Sequence, residues 1–255
     1  MDREALMRLW KGEEELAHIR GWDFSHIEDR YEEGRDLPWD YDGIVRQHLR
    51  PEMKLLDCDT GGGEYLLSLD HPYKNTAATE GYPPNVELCR QRLIPLGIDL
   101  RECGDASRIP FRDGTFDLVI NRHGDFDPGE LYRILRPGGT FITQQVGDEN
   151  DRDLVLQVLP DAEAPFPGHH LSVQKKAFED AGFAVTAADE AFRPIRFFDV
   201  GAFVWFARII EWEFPGFSVE RCFDRLMKLQ ERIDAVGSIE GTTHRYLIVA
   251  EKPDA

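Results

Sequence analysis

An apolar segment that runs straight into a glycine-rich turn constrains the fold of this chain more than any other feature. The segment L-L-D-C-D-T-G-G-G spans Leu55 to Gly63, and a helical pattern begins at Glu64. Glycines allow positive φ and let the backbone approach a ligand closely, and the first amides of the following helix are oriented toward that ligand. Because the same turn occurs in dinucleotide dehydrogenases and in tight turns without a ligand, it indicates a strand–turn–helix unit and no single function.

Strand and helix patterns alternate on both sides of this turn. Strand patterns cover 54–58, 76–79, 99–103, 116–121 and 140–146, and the helical patterns between them cover 64–69, 85–96 and 128–135. Such alternation favours a mostly parallel sheet with helices on both faces. The sequence therefore predicts an α/β fold, a Rossmann-like doubly wound sheet.

The alternation changes outside this stretch, and the helical patterns there predict a cap. Helical patterns cover 1–20, 41–49, 172–181, 199–211 and 219–236, a short strand pattern covers 183–187, and a last strand pattern covers 244–251. The acidic stretch 148–153 is predicted to be a loop. We predict an N-terminal helical cap segment over 1–49, a Rossmann-like cofactor-binding core over 50–198, a helical cap insertion over 199–239 and a last strand returning to the core sheet over 240–255.

Charge and composition limit the classes of partner. Of 255 residues, 42% are hydrophobic, which is enough for a sizeable core, and the formal net charge is −18. A nucleic-acid binder normally presents a basic face to the phosphates. The negative charge therefore disfavours nucleic acids and anionic membranes as partners and favours a small-molecule substrate.

Cysteine usage and the N-terminal sequence bear on the compartment. Cys58, Cys89, Cys103 and Cys222 form no C-x-x-C pair, which disfavours a zinc knuckle and a secreted disulfide framework. No apolar run reaches the 18 residues of a membrane span, and no signal-peptide pattern opens the sequence. We therefore expect a reduced, cytoplasmic location.

Acidic residues follow the second and third predicted strands. Glu80 ends the second strand, and Asp105 follows the third, with Ala106 beside it. Ligands of open α/β sheets bind at the carboxyl ends of the strands, where an acid can accept hydrogen bonds from ribose hydroxyls. A carboxylate at 105 can accept from an adenine amino group, and Ala106 leaves room for the ring. Together these residues predict a nucleoside site.

With these residues in this order, the sequence resembles the class I S-adenosylmethionine-dependent methyltransferases. It is most similar to the small-molecule branch, which has an Asp-x-Gly-x-Gly-x-Gly turn and a Leu-x-Pro-Gly-Gly turn, here L-R-P-G-G at 135–139. The resemblance covers about residues 50–150. It implies S-adenosylmethionine as the cofactor, methyl transfer as the reaction and an antiparallel last strand in the sheet.

The resemblance also assigns roles to individual residues. Asp57, Gly61 and Gly63 match the turn that contacts the methionine part of the cofactor, and Glu80 matches the ribose-binding acid. Asp105 and Ala106 match the adenine contacts, and Asn121 matches the position beside the sulfonium. Asp59 departs from the family pattern because it replaces the first glycine of the turn. Its carboxylate can pair with the cofactor's ammonium or crowd the cofactor's carboxylate, and we expect pairing.

Two further groups of residues are candidates for chemistry at the predicted substrate side. His123, two residues after Asn121, is the candidate catalytic base, because imidazole titrates near neutral pH, whereas a loop histidine with ordinary hydrogen bonds is the alternative. Arg122 can clamp an anionic group or pair with a surface acid, and the second is favoured. Of Gln144 and Gln145, one is expected to face the cleft and the other the sheet.

The remaining candidates are a histidine pair and the aromatic residues of the cap segments. His169 and His170 are adjacent, so their side chains point to opposite faces of an extended segment. Without a third ligand nearby, no metal site is predicted. The cap segments are rich in aromatic residues that form a small core or line an apolar pocket: Trp22, Trp39, Tyr41, Phe197, Phe198, Phe203, Trp205, Phe206, Trp212, Phe214 and Phe217.

These observations favour methyl transfer from S-adenosylmethionine to a small, partly apolar acceptor. An RNA methyltransferase with the same core is disfavoured by the net charge of −18. A catalytically silent S-adenosylmethionine-binding protein remains an alternative because of Asp59. A nicotinamide-dependent dehydrogenase is opposed by Asp105 and by the Pro137-Gly138-Gly139 turn.

Overall fold

A computed structural model describes residues 2–18 and 24–254. The helices are α1 (Arg3–Leu16), α2 (Tyr41–His48), α3 (Glu64–Ser68), α4 (Pro83–Arg92), α5 (Pro128–Ile134), α6 (Arg152–Val158), α7 (Leu171–Asp180), α8 (Val200–Ile209) and α9 (Val219–Val236). The strands are β1 (Tyr31–Glu33), β2 (Leu55–Cys58), β3 (Thr76–Glu80), β4 (Asp99–Glu102), β5 (Phe116–Arg122), β6 (Leu135–Val146), β7 (Ala184–Phe197) and β8 (Ile239–Glu251). Within the described residues, no helix has both the length and the apolar composition needed to cross a membrane.

The described strands form one eight-stranded sheet in the order β1-β7-β8-β6-β5-β2-β3-β4. Strand β2 pairs in parallel with β3 and β5, and the pairs β3–β4 and β5–β6 are also parallel. Strand β8 pairs antiparallel with β6. The predicted Rossmann-like sheet with an antiparallel last strand is therefore confirmed. The parallel strands β2 to β5 place their carboxyl ends at one edge, where the predicted site residues lie.

Several elements differ from the sequence-based expectations. Strand β7 extends to Phe197 instead of ending at 187. Its exposed acidic middle and Pro194 are not typical of a strand, so the sequence pattern did not predict the second half. The backbone there is nevertheless paired by neighbouring strands. Strand β1 was not predicted, since it has only three residues. The predicted helix over 85–96 is α4 followed by a separate 3-10 turn at Ile94–Leu96.

The stretch 148–153, expected to be a loop, is helical at its last two residues, where the unpredicted helix α6 begins. Helix α6 begins at Arg152, and its apolar side chains Leu154, Val155 and Val158 are buried. The helix was not predicted because it has only seven residues and follows an acidic stretch typical of a loop. The predicted helix over 1–20 is described as α1, while Ile19 and Trp22 lie outside the described residues.

The chain divides into two compact units. The helical unit consists of Met1–Leu37, Gly147–Gly168 and Ala191–His244, and the sheet unit consists of Pro38–Val146, His169–Glu190 and Arg245–Ala255. Helix α2 belongs to the sheet unit because Tyr41 and Val45 are buried among the side chains of its strands. The predicted segment over 1–49 is thus divided between the units, and its role as a cap stays a prediction.

The aromatic residues of α8 and its neighbours form the core of the helical unit. Phe203 is fully buried, with its ring centroid 5.6 Å from that of Phe197 and 5.7 Å from that of Phe214. Phe198, in contrast, is 43% exposed. Edge-to-face contacts of this kind add to the free energy gained by burying the rings.

The helical unit offers a matched pair of substitutions. Phe203→Ala should lower the free energy of unfolding by about 3–5 kcal/mol, because it leaves a cavity in a packed core. Phe198→Ala should lower it by less than about 0.5 kcal/mol, because its side chain is exposed. Urea denaturation followed by circular dichroism measures both. Equal losses would show that Phe203 does not pack as described.

Candidate functional site

The turn between β2 and α3 is shaped by glycines. Gly61 and Gly63 have φ of +65° and +79°, in the region that favours glycine. A Cβ at Gly63 would lie 2.9 Å from a methyl carbon of Leu93, whereas a Cβ at Gly61 would meet no atom within 4 Å. Gly63 therefore allows α3 to pack closely, and the backbone at Gly61 borders open space that a ligand can approach.

Asp57 lies near the end of β2, just before this turn in the sequence. Its carboxylate is buried and accepts a hydrogen bond from Thr60 Oγ1 at 2.6 Å. Burial raises the pKa of Asp57 to about 7, and the negative charges of Asp59 and Glu80 contribute to the increase. The positive charge of Arg122 opposes it. The group therefore titrates near neutral pH.

Asp59 occupies the position where the family has a glycine, and it adopts a backbone conformation that glycine favours. Its φ is +53°, a region in which aspartate is more common than most residues. Its Oδ2 accepts a hydrogen bond from the amide of Asp125 at 3.1 Å. Partial burial and the charge of Glu80 raise the pKa of Asp59 to about 6. The carboxylate thus ties the turn to the loop after β5, and its pairing with the cofactor's ammonium stays a prediction.

Glu80, at the end of β3, holds backbone amides from two connections. One carboxylate oxygen accepts from the amide of Gly61 at 2.8 Å, and the other accepts from the amides of Gly81 at 2.9 Å and Tyr82 at 2.8 Å. A carboxylate offers about four acceptor positions, so roughly one remains for a ligand. Glu80 is thereby fixed in place while keeping the capacity to accept from a ribose hydroxyl.

Asp105 and Ala106 lie just after β4, next to Glu80. Asp105 is exposed, and its Oδ1 accepts from the amide of Ser107 at 3.0 Å and from the Ser107 hydroxyl at 2.6 Å. These bonds lower the pKa of Asp105. In register, Glu80 is paired with Glu102, so the ends of β3 and β4 are adjacent. Among the described residues no hydrogen bond uses Asp105 Oδ2, which leaves that oxygen for a ligand.

Asn121, at the end of β5, forms hydrogen bonds with residues of neighbouring strands. Its side chain is fully buried, donates to the carbonyl of Cys58 at 3.1 Å, and accepts from Gln145 Nε2 at 2.6 Å and Thr143 Oγ1 at 3.2 Å. Its backbone carbonyl accepts from the Tyr41 hydroxyl at 3.0 Å. The amide side chain therefore links the ends of three strands, and its predicted position beside the sulfonium stays a prediction.

His123 follows at the same edge and has unusual backbone geometry. Its φ is +64°, its amide donates to the carbonyl of Gln144 at 2.9 Å, and the residue reaches the surface. The surrounding protein and the positive charges of Arg245 and Arg122 lower the pKa of His123. The imidazole is therefore neutral at neutral pH. Arg122 lies 4.8 Å from the ring centroid of Tyr65 and pairs with no carboxylate among the described residues.

Gln144 and Gln145 face different surroundings, as expected for neighbours on a strand. Gln145 is buried and bonds to Asn121, whereas Gln144 is half-buried and contacts His123 and Trp39. Tyr65 and Asp125 were not predicted from the sequence as site residues. Tyr65 immediately follows the first residue of α3, and that closeness to the glycine-rich turn was the available signal.

Of the two adjacent histidines, His169 contacts aromatic side chains of the sheet unit. The Nε2 atom of His169 lies 3.0 Å from the Tyr246 hydroxyl, and its ring also contacts Phe126. Among the described residues, no group of three His, Cys, Asp or Glu side chains is arranged to hold a metal ion.

The raised pKa of Asp57 generates a prediction about stability and pH. A carboxyl group whose pKa is higher in the folded protein binds more protons there than in the unfolded chain. Between about pH 4 and pH 7, its contribution to stability therefore falls as the pH rises. Asp57→Asn should raise the free energy of unfolding at pH 8 by roughly 2–4 kcal/mol, with a smaller gain at pH 5.

Urea denaturation at the two pH values measures this effect. Asp113→Asn is the control, because its carboxylate is 81% exposed and contributes less than about 1 kcal/mol. A gain for Asp57→Asn that is independent of pH would contradict the raised pKa.

Comparisons with known proteins bear on the same residues. Residues 56–143 match a family model described as "Methyltransferase domain". The demethylmenaquinone methyltransferase of Thermus thermophilus is 31% identical over 136 residues, which cover 47% of this chain and 62% of the relative. The phthiotriol/phenolphthiotriol dimycocerosates methyltransferase of Mycobacterium tuberculosis is 35% identical over 104 residues, 38% of each chain. The matches thus span less than two thirds of either relative.

Solved structures agree on the fold. The YcgJ protein from Bacillus subtilis superimposes with a TM-score of 0.57 and 19% identity, over 84% of this chain and 99% of that chain. A functionally unknown protein from Deinococcus radiodurans R1 gives a TM-score of 0.56 and 15% identity, over 87% and 90% of the two chains. At these identities the likeness concerns the fold alone.

Proposed function

We propose that this chain, which belongs to the class I S-adenosylmethionine-dependent methyltransferases, transfers a methyl group from S-adenosylmethionine to a small, partly apolar organic acceptor. The observation that carries the proposal is the placement of Asp57, Glu80 and Asp105 at or just after the carboxyl ends of β2, β3 and β4, within the segment that matches the methyltransferase domain. Methyl transfer from a sulfonium is an in-line displacement, so the protein mainly aligns the nucleophile with the methyl carbon.

The charges at the turn suit this cofactor. S-adenosylmethionine carries a sulfonium and an ammonium, and Asp57, Asp59 and Glu80 place three carboxyl groups at the turn. Since nearby carboxylates repel one another, a bound cation relieves part of that repulsion. The open space beside Gly61 and the remaining acceptor capacity of Glu80 and Asp105 suit the nucleoside.

The acceptor class is supported by charge and by the relatives. A net charge of −18 disfavours a long polyanion. The relatives described above are named for demethylmenaquinone, a quinone, and for phthiotriol or phenolphthiotriol dimycocerosates, which are lipid-like. Trp39 and Tyr65 are half-buried, lie around the same edge as His123 and Asn121, and supply aromatic surface for such a molecule. Tyr41 is buried against Tyr65 and supports that surface from below.

Glu80 provides the test of cofactor binding. Glu80→Gln should weaken binding of S-adenosylhomocysteine by about 1.5–3 kcal/mol, because it removes a charge-assisted acceptor and places an NH2 group among amide donors. Isothermal titration calorimetry measures the affinity. Glu102→Gln is the matched control on the adjacent strand end and should leave affinity unchanged. If Glu80→Gln binds as tightly as the wild type while remaining folded, the ribose acid is misassigned.

The reaction itself is tested with radiolabelled S-adenosylmethionine. We expect methylation in a panel of small phenolic and quinol acceptors, beginning with reduced demethylmenaquinone, and none in total RNA. Labelling of RNA without small-molecule turnover would favour an RNA methyltransferase instead. Tight cofactor binding without any labelled product would favour a catalytically silent binding protein.

A further inference from the structure

A chain of two side-chain hydrogen bonds leads from Trp39 through Gln144 to His123. Trp39 Nε1 lies 2.8 Å from Gln144 Oε1. The indole nitrogen can only donate, so its partner must be the carbonyl oxygen of the Gln144 amide. This contact fixes the orientation of the amide and directs its NH2 group away from Trp39.

The fixed amide determines which nitrogen of His123 carries the proton. Gln144 Nε2 lies 3.3 Å from His123 Nε2. Because an amide NH2 can only donate, His123 Nε2 must accept and therefore carries no proton. A neutral imidazole then has its proton on Nδ1. Desolvation of the imidazole by the surrounding protein, together with the positive charges of Arg245 and Arg122, lowers the pKa of His123 and so opposes protonation of both nitrogens.

The backbone holds the same ring in place. The amide of His123 donates to the backbone carbonyl of Gln144 at 2.9 Å, so Gln144 contacts both the backbone and the side chain of His123. The positive φ of His123 costs free energy, and backbone strain of this kind is concentrated at functional sites. Among the described residues, no hydrogen bond uses Nδ1, and the residue reaches the protein surface.

We propose that Trp39 and Gln144 hold His123 as the Nδ1–H tautomer, and that Nδ1–H donates a hydrogen bond to an oxygen of the methyl acceptor. The donor role rests on the proposed function. The oxygen lies beside the methylated atom, as the phenolate or enolate oxygen next to a nucleophilic carbon does. A donor there favours the ionised acceptor, in which the neighbouring carbon is most nucleophilic.

His123 then acts without proton transfer. Its Nε2 lone pair accepts from Gln144 and cannot also remove a proton from the acceptor. The hydroxyl proton of the acceptor leaves to water before the transfer. The proton on Nδ1 then stays on the ring while the sulfur–methyl bond breaks, with its electron pair returning to sulfur, and the electron pair of the ionised acceptor forms the methyl–carbon bond. The hydrogen of the methylated carbon leaves to water afterwards. The site should therefore select acceptors that have a hydroxyl or carbonyl oxygen adjacent to the methylated position.

The tautomer can be measured without any substrate. In long-range ¹H–¹⁵N spectra of protein labelled with ¹⁵N-histidine, we expect His123 to have a protonated Nδ1 and an unprotonated Nε2 from pH 6 to pH 8. The resonance is assigned by its loss in His123→Asn. In Gln144→Glu, a carboxylate that accepts from both Trp39 and His123 should move the proton to Nε2. A wild-type ring protonated on Nε2, or a tautomer unchanged in Gln144→Glu, would overturn the proposal.

The donor role is separated from a base role by two substitutions. The amide nitrogen of asparagine takes the position of Nδ1, asparagine tolerates positive φ, and it cannot act as a base. His123→Asn should therefore lower kcat/KM by about three- to tenfold, and His123→Ala by about 30- to 100-fold. Equal losses in the two variants would show that His123 acts as the base and would overturn the donor role.

Failure of the inference and failure of the proposed function give different results. If an acceptor is methylated and the two variants lose equally, the proposed function stands and the inference falls. If the tautomer is as expected but no acceptor in the panel is methylated, the donor role falls together with the proposed function.

Discussion

The hydrogen bonds of one buried carboxylate, that of Glu80, hold the site together. It binds the amide of Gly61 from the turn after β2 and those of Gly81 and Tyr82 from the connection after β3. Both turns are thereby fixed relative to the sheet before any ligand binds. A Cβ at Gly81 would lie 2.6 Å from the carbonyl oxygen of Cys103, so the end of β4 is held equally closely. The conformation of the loops at the carboxyl ends of the parallel strands therefore depends on the carboxylate of Glu80 and on glycines at the positions where two backbone segments lie in close contact.

This arrangement concentrates negative charge where the chain already has an excess of it. Burial and mutual repulsion raise the pKa of Asp57 to about 7 and that of Asp59 to about 6. A protein selected for stability alone would place apolar or hydrogen-bonded neutral groups there, because buried like charges are unfavourable. Retention of these acids is understandable if a cationic ligand offsets the repulsion, which is what S-adenosylmethionine would supply.

The sequence predicts the features that depend on local patterns. The glycine-rich turn, the acids at the ends of β3 and β4 and the parallel core of the sheet follow from short motifs and strand–helix alternation, and the family match at 56–143 confirms the resemblance drawn from them. The full length of β7 was not predictable, because its exposed acidic middle lacks the alternation of apolar and polar residues that marks a strand. The contact between Trp39 and Gln144 was not predictable either, since 105 residues separate them.

The two glutamines at the end of β6 show how a structural network and a functional one can coexist at one sheet edge. Successive side chains of a strand point to opposite faces. Gln145 is therefore buried and completes the hydrogen bonds of Asn121, whereas Gln144 is half-buried and meets Trp39 and His123. Because Asn121 also binds the carbonyl of Cys58, the buried network joins the ends of β2, β5 and β6. The strand end that carries Gln144 is thus rigid, and a rigid amide is what a fixed histidine tautomer requires.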